Sequence, residues 1–519
     1  MKAVFLAIAI TMFSICQAAD ITVSPGGSIS AAFASANAGD RVLVNAGTYN
    51  ENILISKSGT VAAYITLKAN GAVKINSGGG GKAIRIAASY IIIDGFELTN
   101  YQCGVNFRTG HHVQVLNCNV HSGTSIGTAV SGSNGIETNY DPGPIDNIYV
   151  ENTDFYYNAN GGGDLGCNSA SDVLTNITFK KCKFYANACG GGTDGIGIGH
   201  FGTKANISFI RCEAYDNLSD GFDVDAPVFM DGCIAHDNDK NGGPNWGVGI
   251  KAWASGGGQV RLYNCVVYNN TEETDGGGGI NIGGTNSVVS NCLVSNNRSY
   301  AGIIISTGAT VTVKNTIFYN EKHAFSEITT GVNFDSSNII NSCIDNGGLS
   351  ASDAAKAKTF NPMFVSSSSG DFRLNSVSSA IDAGVAVTGV TIDADGNNRA
   401  AGLGVDIGPY EYGSGTTVIT STGGSGISNS DFKIKISPNP WNPNLNSGDI
   451  TISDVPLNKQ FNLKIFNSTG ELIKSLSYGG IGVFKWDGKD EDGNAVSRGI
   501  YYVSIEGEGK SRAKIALIK

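Results

Sequence analysis

Helical periodicity is missing from most of this 519-residue chain, and charge is sparse: Asp, Glu, Lys and Arg make up 15% of it. Amphipathic helices need apolar residues at a 3.6-residue spacing, so the long region without that spacing is not helical. Basic residues are in deficit, 35 against 45 acidic ones for a net charge of −10. A phosphate-binding surface needs the opposite balance, which excludes nucleic acid as a partner. An acidic polysaccharide stays open, because a bound Ca²⁺ reverses the sign of one cleft. Beyond residue 19 no apolar run approaches the roughly 18 residues of a membrane span. The Gly-rich runs at 78–81, 161–163, 190–192 and 276–279 lack the Lys-Ser/Thr of a phosphate loop and read as chain corners. His111, His112, His200 and His236 lack metal-ligand spacing with other His or Cys. Asp393-Ala394-Asp395-Gly396-Asn397 and Asp490-Glu491-Asp492-Gly493-Asn494 lack the bidentate Glu of an EF-hand, so both read as turns.

What is abundant is glycine, 71 residues without a G-X-Y period, together with Asn, Ser, Thr, Val and Ile. That mixture belongs to short strands joined by tight turns. Residues 1–19 read as a secretory signal: Lys2, an apolar stretch over 3–15, and Cys16-Gln17-Ala18 as a small-residue cleavage site. Ile15 before Cys16 argues for cleavage rather than lipidation. The mature chain is expected to be secreted, either extracellular or at the cell surface.

Ten of the 11 cysteines lie beyond that signal. Cys118, Cys182, Cys212, Cys233, Cys265, Cys292 and Cys343 share one repeat position, which predicts a buried stack of small side chains rather than disulfides. Cys167 and Cys189 fall outside the stack and are the pair expected if a disulfide forms.

Aligning those cysteines exposes the repeat: 91–100, 113–122, 148–158, 177–187, 207–217, 228–238, 260–270, 288–297, 311–320 and 338–346. The period is about 28 residues. Each copy alternates β-branched residues with period 2, bends at the cysteine position and ends on an Asn, a residue that tolerates left-handed turns and forms side-chain ladders. A coil of this length with three short strands predicts an all-β fold, a parallel β-helix of about ten coils over 20–413. Residues 20–90 form the N-terminal cap and first coils, with a capping helix expected over 28–37, and 360–413 are expected to close the other end. A Gly/Ser/Thr-rich linker follows over 414–431. Residues 432–519 alternate differently, with Phe461, Leu463, Ile465 and Trp486 on strands and 499–503 closing, which predicts a small antiparallel Ig-like β-sandwich.

Within the solenoid, Asp194-Gly195-Ile196-Gly197, Asp220-Gly221-Phe222-Asp223, Gly249-Ile250-Lys251 and Gly279-Ile280-Asn281 recur every 26 to 30 residues. Stacking puts matched positions side by side, about 4.8 Å apart. Ile196, Phe222, Ile250 and Ile280 then point inward, and Gly197, Asp223, Lys251 and Asn281 outward. Asp223 and Lys251 become neighbours, Asp194 stacks beneath Asp220, and three carboxylates approach Ca²⁺ coordination reach, with Ser219 adding an oxygen. Read alone, each Asp-Gly is an ordinary turn start, and Lys251 merely neutralises Asp223. His200, Trp246, Trp253 and Asn281 are candidates for touching a sugar.

Residues 160–290 resemble family 9 polysaccharide lyases, pectate lyases with a right-handed parallel β-helix. The motif Asn217-Leu218-Ser219-Asp220-Gly221-Phe222-Asp223, with Asp194-Gly195 and Gly249-Ile250-Lys251, carries the resemblance. It implies a Ca²⁺ site at Asp194, Asp220 and Asp223 and a Brønsted base at Lys251. Ser219 stands where that family usually has an Asp, which weakens the implied metal site; Asp225, near Asp223, is expected to compensate in part. The C-terminal module resembles the sorting domains of type IX secretion substrates through 437–443, 484–488, Asp492-Gly493 and 515–519, implying a partnership with secretion machinery. The function implied is a monomeric, secreted, Ca²⁺-dependent lyase acting on an acidic polysaccharide, pectate or a related uronate polymer, by β-elimination. The alternatives are a non-catalytic surface β-helix that binds glycans, and a glycoside hydrolase using Asp220 and Asp223.

Overall fold

The computed structural model describes residues 18–124, 133–138, 144–166, 173–187, 194–199, 202–239, 247–254, 257–270, 277–297, 301–326, 331–399 and 402–413. In a second unit it describes 435–437, 449–453, 462–467, 472–477, 484–491, 493–505 and 512–517. The expected signal up to residue 17, the linker, the Cys167–Cys189 pair, His200 and Trp246 lie outside the described residues. Among the described residues no helix is long and apolar enough to cross a membrane.

The first unit, Met1–Thr417, is a parallel β-helix. Successive strands at each position of the repeat pair in parallel and in register, as in Ile207↔Val228 and Phe209↔Met230 or Phe184↔Ala214. One sheet bears the outward column of interest and is called the site sheet. Its strands are Ile53–Ile55, Lys82–Ala87, the start of Cys103–Leu116, Asn134–Thr138, Gly163–Leu165, Ile196–Ile198, Phe222–Val224, Ile250–Ala252, Gly278–Ile282 and Ala301–Ile305. Alternate residues point in and out, so most of these strands send two side chains, such as Ile196 and Ile198 or Ile250 and Ala252, into a continuous apolar interior that runs the length of the unit.

Helix α1, Ile29–Ser35, covers the N-terminal end of that interior. Ser28 caps it by accepting from Ala31 N, and Ile29 and Phe33 are fully buried beneath it. At the far end Leu349, Ala354 and Ala357 pack against the last of the interior. Residues 360–413, expected to close that end, lie instead along the solenoid's flank. Phe372, Leu374, Ile407 and Tyr410 form a separate core with Val266, Leu293, Ile317 and Ile339. Arg399 reaches Asn264 and Pro409 O there.

The cysteine stack is present. Cys118, Cys182, Cys212, Cys233, Cys265 and Cys292 are free and buried, and Cys343 is free and partly buried. Thr153 and Thr316 fill two rungs of the same position, buried like the cysteines. The closing asparagines form a second interior ladder. Each Nδ2 donates to the next Oδ1: Asn158 to Asn187 at 3.1 Å, Asn187 to Asn217 at 2.9 Å, Asn217 to Asn238 at 3.0 Å, Asn238 to Asn270 at 2.8 Å, and Asn270 to Asn297 at 2.9 Å. Tyr101 Oη donates into one end and Glu321 accepts at the other. Left-handed backbone falls on the residue before each ladder Asn, at Ala186, Asp216 and Asp237 for example. The ladder Asn is therefore kept for its amide, and its neighbour makes the turn.

The second unit, Val418–Lys519, contains two antiparallel sheets. One joins Lys435–Ser437, Ile450–Ser453 and Phe484–Trp486; the other orders Leu472–Ser477, Asn462–Phe466, Gly499–Ile505 and Arg512–Leu517. Ile450, Ile452, Leu463, Ile465, Trp486 and Val503 form its core. Arg512–Leu517 pairs beyond Gly499–Ile505, so the terminal residues rather than 499–503 complete that sheet.

Candidate functional site

The glycines of the repeated Gly-x-X triplets explain how the column is held. They are not turn residues: an added Cβ would stand 2.4 Å from Gly221 O at Gly195 and 2.6 Å from Gly249 O at Gly221, with ladder amides of Asn217 and Asn238 at 2.9 and 2.8 Å. Only a residue without Cβ lets the site sheet pass so close to the asparagine ladder. The following residues, Ile196, Phe222, Ile250 and Ile280, are fully buried, which turns the third residue of each triplet outward.

The expected register is present: Gly197↔Asp223, Asp223↔Lys251 and Lys251↔Asn281. Lys251 Nζ lies 2.9 Å from Asp223 Oδ2 and 3.4 Å from Asp220 Oδ2. Asp220 is 2% exposed, and its Oδ1 accepts from Val248 N at 2.7 Å. Asp194 Oδ1 accepts from Asp220 N at 3.2 Å, and the Ser219 hydroxyl also bonds its carboxylate. A Cβ at Gly197 would meet nothing closer than 3.8 Å, so the space beside Asp194 and Asp223 is open.

The electrostatics follow from burial. Desolvation, then the Asp223 charge, raise Asp194 to about 6. Desolvation and Asp194 push Asp220 well above the usual carboxylate range. Burial works against the Lys251 ammonium, but Asp220, Asp223 and Asp194 outweigh it and raise its pKa above the ordinary lysine value. The cluster thus holds three acids around one cation.

These oxygens are of the hard type that Ca²⁺ takes, and their mutual repulsion is what a divalent cation relieves. As they stand, however, two of them are turned to Lys251. Among the described residues no three Asp, Glu, His or Cys side chains converge to hold a metal. Asp225 does not join them: it is buried and faces Lys204 at 4.0 Å. Trp253 and Asn281 are both at the site and bonded to each other, Trp253 Nε1 donating to Asn281 Oδ1 at 3.0 Å. The Trp253 ring centroid lies 5.0 Å from Lys251 Nζ.

The outward column extends further than the four repeats that first reveal it. Asp164 is in register with Gly197 and with Glu137, Glu137 with Asn106, and Asn106 with Arg85. The signal was available in the triplets Gly104-Val105-Asn106, Gly135-Ile136-Glu137 and Gly162-Gly163-Asp164, which repeat the Gly-x-X pattern upstream.

A family model, the FlgD Ig-like domain, matches residues 456–511. No curated protein matches the chain. Among solved structures, pectate lyase Pel9A is 21% identical, covering 77% of this chain and 97% of its own, with a TM-score of 0.44. An alginate lyase from Paenibacillus sp. str. FPU-7 is 15% identical, covering 61% and 99%, with a TM-score of 0.41. PorZ, a surface component of the type IX secretion system of Porphyromonas gingivalis, is 27% identical over 17% of this chain and 11% of its own, with a TM-score of 0.15. The first two have polysaccharide-lyase activity in common, but at these scores the likeness is one of broad architecture.

Proposed function

We propose that this chain is a secreted polysaccharide lyase that cleaves a uronate polymer, pectate foremost, by β-elimination, with Lys251 as the base. The observation that carries the proposal is the placement of Lys251 on an outward sheet position, in register with Asp223 and directly over the buried carboxylate of Asp220. In this reaction the lysine amine takes the C5 proton, α to the substrate carboxylate. The electron pair forms the C4–C5 double bond, and the C4–O4 bond breaks with its electrons going to O4, which takes a proton from water as the sugar leaves. A Ca²⁺ held by Asp194, Asp220, Asp223 and Ser219 would bind the substrate carboxylate, stabilise the charge developing on it and lower the proton affinity of the lysine. To act as base, Lys251 must part from Asp220 and Asp223, since both favour its protonated form. Trp253, tied to Asn281, offers a ring at the same mouth for a sugar face. The Ig-like module would serve sorting and export.

A second reading, a glycan-binding β-helix without catalysis, is favoured by the same ion pairs, because they keep Lys251 protonated. The two separate in one assay: ultraviolet absorbance of the unsaturated uronate product, with polygalacturonate or alginate, in Ca²⁺ or in chelator. The expected outcome is a Ca²⁺-dependent rise that falls at least a hundredfold in Lys251→Ala. Hydrolysis would release chain ends without that absorbance. No rise on either polymer would favour the glycan-binding reading.

A further inference from the structure

We propose that the site sheet carries a second binding site, a seat built on Arg85 for a carboxylate of the same acidic polysaccharide, six rungs from Lys251. Its ligand class rests on the lyase reading above; its existence rests on the following geometry.

Arg85 and Lys251 belong to one outward column, linked rung by rung through Asn106, Glu137, Asp164, Gly197 and Asp223. At about 4.8 Å per rung the separation is roughly 29 Å. Arg85 lines an open cavity of about 340 Å³ with Asn52, Leu54, Lys82 and Gln102. Its neighbours in the column are Leu54 and Asn106, neither of them an acid. The guanidinium makes no hydrogen bond or ion pair among the described residues, and its Nε is buried without a partner. Asn106, fully buried, donates to Glu137 Oε1 at 3.1 Å while its own Oδ1 has no partner. Lys82, the second cation of the cavity, is paired with Glu137 at 2.5 Å. The local balance is therefore one uncompensated positive charge, and it sits on Arg85.

A buried donor left unsatisfied is unfavourable, and more so when charged. An arginine kept for structure would face an acid or a carbonyl. One that instead faces an open cavity is free to take a ligand, and the planar fork of the guanidinium fits a carboxylate with two parallel bonds. Glu137 and Asp164 lie between this seat and Lys251 and repel an acidic chain pressed onto them. Contact is thus made at two separated points, and only a polymer long enough to reach both gains from the second.

The test uses the full chain carrying Lys251→Ala, so that turnover does not confound binding, with polygalacturonate and alginate as long polymers and as short size-fractionated oligomers. Arg85→Gln should weaken binding of long polymer about tenfold and leave short oligomers unchanged. Arg85→Lys, which keeps the charge without the fork, should lose about threefold and serves if Arg85→Gln does not fold. Methyl-esterified polymer should not respond to either substitution. The seat is overturned if long polymer binds Arg85→Gln as it binds the parent, if short and long ligands lose equally, if the ester behaves as the acid does, or if the parent binds neither polymer. Arg85-dependent binding by a chain that turns over no uronate polymer would sink the lyase reading alone. Turnover without any Arg85 dependence would sink the seat alone.

Discussion

Asp194 stands where its own charge works against the fold. It is half-buried beside Asp223 and bonded to the Asp220 amide, and its pKa is raised to about 6 by desolvation and the Asp223 charge, so at neutral pH its ionised form opposes folding. Asn keeps an acceptor for that amide and removes the charge. Asp194→Asn should therefore raise the urea midpoint at neutral pH in chelator, by about 1–2 kcal/mol in stability. Added Ca²⁺ should stabilise the parent and leave the variant unmoved. A variant less stable than the parent in chelator would show that like-charge repulsion is not the dominant influence there. Trp253 and Asn281 illustrate a different gain at this scale: their hydrogen bond joins two candidates that the sequence could only name separately.

At the scale of the element, the solenoid is organised by side-chain ladders inside and out. Outside, His121, Tyr156, Tyr185, Tyr215, His236 and Tyr268 stack ring on ring at 4.6 to 5.0 Å. Inside, the asparagine ladder satisfies carbonyls that the bend leaves over, as Asn187 Nδ2 does for Phe155 O at 3.2 Å. Asn187→Ala would remove that donor from Phe155 O, leave Asn158 N without its side-chain acceptor and leave Asn158 Nδ2 only its 3.5 Å bond to Val120 O, all far from water. A loss of about 2–4 kcal/mol is expected in denaturant unfolding; a loss under about 0.5 kcal/mol would mean that the ladder is incidental. The repeat, its period and the cysteine position were all legible in sequence, because a parallel stack forces the same residue type onto the same position of every coil. The role of the ladder asparagines was legible only in part. Their amides bond across rungs, whereas the left-handed turn belongs to the preceding residue, whose identity varies from Ala186 to Asp216.

At the scale of the molecule, two units each close a core of their own, one running through the solenoid and one around Trp486. A chain ending at residue 417 should keep the melting midpoint of the solenoid; a drop of more than about 3 °C would show that the module supports it. The sequence by itself determined the β-helix, the inward and outward sense of the column, and the meeting of Lys251 with Asp223, since these follow from period 2 along a strand and exact repetition between strands. Tertiary structure alone decided what periodicity does not encode. It laid residues 360–413 along the flank, because apolar residues left exposed on the outer face of the solenoid bury there. It turned Asp225 to Lys204, and it engaged Asp220 and Asp223 with Lys251 instead of leaving three carboxylates converged. It also left the Arg85 guanidinium without a partner among the described residues. Each of these depends on where side chains from different coils and segments meet in three dimensions, and no single repeat contains that information.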